Sequence, residues 1–243
     1  MSTHTVLGRE VQMPVRIRHA RAFMASYRVP ADAAQRLIDY SGLRVLRVPR
    51  DRALCTLVFV EYIDGDLGPY NEFGVSFMVR HHAAARDGGL ADLRALATGK
   101  AGVFIHQLPV DGDFTLAAGR GIWGFPKEIA EFDVNHEGGL RRGVLRQNGD
   151  LVVDLSVKTG LSTPGGRGAG TSFDAYSHID GLTRCTEWEM APSGMRARPG
   201  GVELRLGDHP IAAELAGLGL PARAPMASTV DRLTMTFQDA VTV

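Results

Sequence analysis

The sequence predicts a mainly β protein with some α, an antiparallel sandwich or barrel built as one domain over residues 1–243. Three observations predict it. Segments rich in β-branched and aromatic residues recur at fairly even spacing; Gly, Asn and Asp cluster between them; and helical periodicity is confined to a few short stretches.

Residues 11–27 alternate apolar and basic positions and read as one or two extended segments. Pro30 opens a helix carrying Ala33, Ala34, Leu37 and Ile38, which Gly42 can stop. Leu43 to Val48 and Ala53 to Ile63 read as strands around the turn Pro49-Arg50-Asp51. The stretch from Asp64 to Tyr70 is a loop, which puts Glu72 at a loop-to-strand junction before the strand Phe73 to Arg80.

Leu90 to Ala97 reads as a short helix, Ala101 to Leu108 as an apolar strand, and residues 113–118 as one helical turn. Strands follow at Ile129 to Val134, Gly143 to Gln147, Leu151 to Lys158, Phe173 to Ile179, Leu182 to Met190 and Val202 to Leu206. Ser162 to Thr171, with four glycines, is a loop rather than a domain boundary. His209-Pro210 introduces a helix through Leu215, and Ala227 to Val243 is a long final strand.

Composition excludes several classes. With 44% hydrophobic and 22% charged residues the chain can bury a large core, and its zero formal charge supplies no field for nucleic acid. No apolar run reaches the roughly 18 residues of a membrane span. The segment from Met1 to Arg9 lacks the apolar core of a signal peptide, so the default location is cytoplasmic. Cys55 and Cys185 match no redox or metal spacing and read as packing residues. His81, His82, His106, His136, His178 and His209 form no defensible ligand set, and no metal is expected.

One stretch concentrates the chemistry: Gly119-Arg120-Gly121-Ile122-Trp123-Gly124-Phe125-Pro126-Lys127-Glu128. The 27 basic side chains include only three lysines, Lys100, Lys127 and Lys158, and only lysine can give up its proton to become a nucleophile. An ordinary lysine pKa of about 10.4 leaves almost no neutral amine at pH 7. Burial among apolar groups such as Ile122, Trp123 and Phe125 lowers it by about 3 to 5, enough to make Lys127 reactive. The competing reading is a solvated lysine at a strand end. Glu72 can shuttle protons, and Arg28, just before a helix start, can hold a carboxylate bidentately; for each alone, a solvated surface position is the competing reading.

These residues resemble a family. Gly119-Arg120 followed by Gly124-Phe125-Pro126-Lys127 is similar to the signature of acetoacetate decarboxylases and their relatives, whose corresponding lysine forms a Schiff base with a keto acid. Tyr27-Arg28 looks like the family's substrate-contacting arginine, and Gly68-Pro69-Tyr70-Asn71-Glu72 matches a Gly-x-Tyr-x-Glu pattern whose glutamate lines the pocket. Gly207 to Ile211 with Leu218 to Pro221 resembles a C-terminal helix of bacterial members. The resemblance implies a closed, cone-like antiparallel β-barrel flanked by a few helices, assembled as a homo-oligomer. It implies a cofactor-independent lyase acting on a small keto acid, with Lys127 and Glu72 catalytic and Arg28, Tyr70, Trp123 and Phe125 around the substrate.

Two departures bear on the reaction. The decarboxylases proper carry a second lysine after the nucleophile, where this chain has Glu128, a carboxylate that would raise the pKa of Lys127 if it faced it. In an extended segment Glu128 faces away, toward Arg120. The family also has a further pocket glutamate upstream, where an ungapped alignment places Leu57 and leaves Glu61 out of register by four. Decarboxylation of a β-keto acid therefore stands beside a pyruvate-type aldolase-dehydratase reaction, and beside a non-catalytic small-molecule-binding barrel.

Overall fold

The structure is a computed structural model and describes residues 2–84, 90–163 and 170–243. A hairpin of β1 (Thr3–Val6) and β2 (Arg9–Gln12) precedes the long strand β3 (Val15–Pro30) and helix α1 (Ala31–Ile38). Then come β4 (Arg52–Gly65), β5 (Tyr70–Val79), α2 (Leu90–Ala97), β6 (Gly102–Gln107) and α3 (Asp113–Ala118). The meander β7 (Glu131–Asn135), β8 (Leu140–Gln147) and β9 (Asp150–Lys158) leads to β10 (Leu161–Ser162), β11 (Thr171–Ile179), β12 (Leu182–Arg198) and β13 (Val202–Leu206). Helix α4 (Pro210–Gly217) and β14 (Met226–Thr242) complete the chain.

Seven strands close into a barrel in the order β12-β11-β6-β5-β4-β3-β14, with β14 returning to β12. The expectation of a closed, mainly β barrel with a few helices is met. The ring is mixed, because β6 and β11 pair in parallel while the other junctions are antiparallel. A parallel neighbour needs a long crossover. Here α3 and the meander β7 to β9 lie between β6 and β11.

Strand alternation sorts side chains to the two faces of the wall. Ala22, Val60, Tyr62 and Tyr70 point inward with Trp123, Phe125 and Phe237. Phe23, Phe59 and Phe73 point outward, where a second sheet, β13-β9-β8-β7, lays Leu145, Val153 and Leu155 against them. On the outer surface α4 adds Ile211 and Leu215, and its Glu214 carboxylate meets His106 Nε2 at 3.0 Å.

Several expectations change. Leu43 to Val48 forms isolated bridges, Val45 with Val79 and Val48 with Arg52, rather than a strand. From Cys55 onward β4 already occupies that edge of β5, so only the last residues of β5 are free to pair. Glu72 lies inside β5 rather than at a junction, paired with Val60. Of the loop at Ser162 to Thr171, residues 164–169 lie outside the described residues.

Phe59 stacks on Phe23 at 5.3 Å, meets the tilted Phe73 ring at 4.8 Å, and meets Phe132 of the second sheet edge-on at 6.2 Å, joining barrel to second sheet. Phe59→Ala is expected to lower stability by about 3 to 5 kcal/mol in a urea melt, the usual cost of emptying a packed aromatic site.

Candidate active site

The lysine stretch begins as a π-helical turn, Gly119–Trp123, continuing α3. Gly124 ends it at φ +68°, and the N–H groups of Gly124 and Phe125 both return to the Gly119 carbonyl. The fold of the turn brings Lys127 back across Gly119. A Cβ on Gly119 would stand 2.5 Å from Lys127 Cδ, so the lysine stem has room only because that residue has no side chain.

Backbone bonds set the separation of acid and amine. Val110 pairs with Glu72 on one side and with Ile129 on the other, where its N–H donates to the Glu128 carbonyl and its own carbonyl accepts from the Ala130 N–H. One residue thus couples the strand bearing Glu72 to the segment bearing Lys127. The segment is extended there, and alternation sends Glu128 outward, where Gln147 Nε2 donates to its carboxylate at 3.1 Å. Arg120, expected as its partner, donates instead to the Lys127 carbonyl at 3.2 Å.

Lys127 is 2% exposed and Glu72 5%. The ammonium nitrogen Nζ lies 2.9 Å from Glu72 Oε2 and 2.7 Å from Thr115 Oγ1, with the Tyr70 ring 4.8 Å away. On the far side of the carboxylate the Tyr62 hydroxyl donates to Glu72 Oε1 at 2.9 Å, and the Tyr62 and Tyr70 rings stack at 4.2 Å. Burial holds the Lys127 pKa below the ordinary lysine value against the opposing pull of Glu72. Burial, with Glu72 nearby, holds both tyrosines well above the ordinary phenol value, so they are hydroxyl donors at neutral pH.

The structure brings Lys127, Glu72 and Tyr70 together. Trp123 and Phe125 stack on each other at 5.7 Å within the same buried cluster, but they pack against Phe237 and Trp188, and Trp123 Nε1 donates to the Gln238 carbonyl. Arg28 is a correction. The register Ala22-Val60-Glu72 places the site level with Ala22, and the exposed Arg28 lies six residues, about 20 Å, further along β3. Leu57 points into the outer core, and Glu61 is paired with Arg21.

Sequence reasoning missed Tyr62 and Thr115. Tyr62 had a signal, because a hairpin over the Asp64 to Tyr70 loop puts it opposite Tyr70 and diagonal to Glu72. Thr115 had none.

A barrel whose interior holds a desolvated lysine against a carboxylate defines the class. The chain belongs to the acetoacetate decarboxylase family, whose model, Acetoacetate decarboxylase (ADC), matches residues 3–242. Acetoacetate decarboxylase 3 of Mesorhizobium japonicum is 40% identical over 55 residues, a stretch covering 23% of this chain and 22% of that protein. The crystal structure of acetoacetate decarboxylase from Legionella pneumophila superposes with a TM-score of 0.67 at 18% identity, covering 97% of this chain and 90% of the other. The enduracididine biosynthesis enzyme MppR, complexed with the condensation product of pyruvate and imidazole 4-carboxaldehyde, superposes at 0.66 with 15% identity, covering 96% and 90%. Among the described residues, no helix is long and apolar enough to cross a membrane.

Lys127→Met strands the buried Glu72 carboxylate and is expected to cost about 3 to 5 kcal/mol. Adding Glu72→Gln removes the second charge and should recover most of that loss. Urea melts of wild type, single and double variants measure both.

Proposed function

We propose that the protein is a Schiff-base-forming lyase acting on a small keto acid, most directly by decarboxylating a β-keto acid through Lys127. The observation that carries the reading is the buried amine, held by Glu72 and Thr115 at hydrogen-bond distance while burial favours its neutral form. The neutral amine adds to the ketone carbon and passes one N–H proton to Glu72, and the former carbonyl oxygen, protonated from solvent, leaves as water to give an iminium. The electrons of the bond to the β-carboxylate flow into that iminium, releasing carbon dioxide and an enamine. Glu72 delivers a proton to the enamine carbon, and water then returns ketone and free amine. None of these steps calls on a cofactor.

A second reading uses the same lysine as a pyruvate-type aldolase-dehydratase. A pyruvate enamine attacks an aldehyde, and the hydroxyl formed leaves as water. The Tyr62 hydroxyl on Glu72 favours it, since it supplies a second acid beside the carboxylate. The fold shared with MppR, whose structure holds a pyruvate condensation product, is in keeping with it. Carbon dioxide release from acetoacetate, against aldehyde condensation with pyruvate, separates the two. The proposal also takes the protein to work as an oligomer of at least two copies, which sedimentation measures.

Borohydride reduction with acetoacetate or pyruvate, followed by peptide mass analysis, is expected to trap an adduct on Lys127. Folded protein with no adduct there would leave a non-catalytic binding barrel. Because only the neutral amine attacks and its pKa is lowered, trapping should rise with pH through a midpoint below 10.5. Lys127→Arg should abolish trapping, since arginine stays protonated. Glu128→Gln, on the outer face beside Gln147, should leave the midpoint in place.

A further inference from the structure

We propose that Thr115 is the positioning residue that aims the lone pair of neutral Lys127. The inference rests on the Schiff-base reading and concerns a residue that no sequence motif marks. A neutral primary amine has two N–H donors and one lone pair arranged around a tetrahedral nitrogen. Two acceptors stand beside Nζ, Glu72 Oε2 at 2.9 Å and Thr115 Oγ1 at 2.7 Å. With each N–H spent on one acceptor, the lone pair is confined to the single remaining vertex. Without Thr115 the amine can rotate about the Cε–Nζ bond and distribute its lone pair over two.

Both acceptors are fixed. Thr115 is 2% exposed on α3, the helix that runs directly into the π-helical turn, and the lysine stem is seated against Gly119 of that turn. Glu72 is anchored on its far oxygen by Tyr62. The Thr115 hydroxyl has its own outlet, because the Tyr70 hydroxyl lies within hydrogen-bonding reach of both Thr115 and Tyr62. Thr115 can turn its proton toward Tyr70, while Tyr62 donates to Glu72. Thr115 is then left with an oxygen lone pair facing Nζ, and its proton does not compete for the amine.

Thr115→Val keeps the shape and removes the oxygen. In borohydride trapping with acetoacetate and pyruvate, the high-pH plateau rate is expected to fall about tenfold, the worth of one such hydrogen bond. The midpoint should move to lower pH, because Thr115 accepts more strongly from the ammonium than from the neutral amine. Thr115→Ser should restore both. An unchanged plateau in folded Thr115→Val overturns the assignment. So does a plateau that falls with the midpoint unmoved and no recovery in Thr115→Ser, which is the pattern of lost packing. If wild type forms no adduct, the Schiff-base reading fails, and with it the nucleophile that Thr115 would aim. An NMR titration of the Lys127 amine, which needs no substrate, keeps the two failures apart. A midpoint moved down by Thr115→Val supports the hydrogen bond on its own, and an unmoved one overturns it.

Discussion

The structure depends on keeping an amine and a carboxylate together where water does not reach. Moving either charge alone into the barrel costs several kcal/mol, and their attraction offsets that cost only when the geometry is tight and the remaining lone pairs are satisfied. Here Nζ meets Glu72 and Thr115, and the second carboxylate oxygen meets Tyr62. Desolvation and the carboxylate pull the amine in opposite directions, and desolvation is the larger.

The barrel supplies the rigidity this pair needs. Each strand of the closed ring is hydrogen-bonded on both sides, and inward alternation delivers Tyr62, Tyr70 and Glu72 to one interior from two adjacent strands. The amine arrives differently, on a turn between β6 and β7 that is seated against Trp188 and Phe237 through Trp123 and Phe125. Ser177 Oγ donates to the Trp123 carbonyl at 2.7 Å and ties this turn to β11. Strand-borne acid and turn-borne base thus meet inside one packed apolar cluster.

Much of this was legible in the sequence, for identifiable reasons. The strands and short helices follow from alternation and turn residues, which are local. Lys127 and Glu72 stand out because one closes a glycine-rich aromatic stretch and the other a Gly-x-Tyr-x-Glu pattern, and the fold brings the two side chains together. What failed depends on register or length. Arg28 was placed by its nearness to a helix start, but β3 runs on for 16 residues and carries it away. The parallel junction of β6 with β11 rests on a pairing between residues more than seventy positions apart, such as Val103 and Ala175. Thr115 sits on six helical residues whose orientation is decided by what they pack against.

Val110 pairs with Glu72 and with Ile129 through its main chain alone, which makes it a spacer of fixed gauge between the carboxylate and the segment that carries the amine. Main-chain spacing is blind to side-chain identity. The wall of the barrel can therefore be re-lined without disturbing the gap between carboxylate and amine. The two reactions proposed above, decarboxylation and aldol dehydration, would then differ in the lining and share the frame.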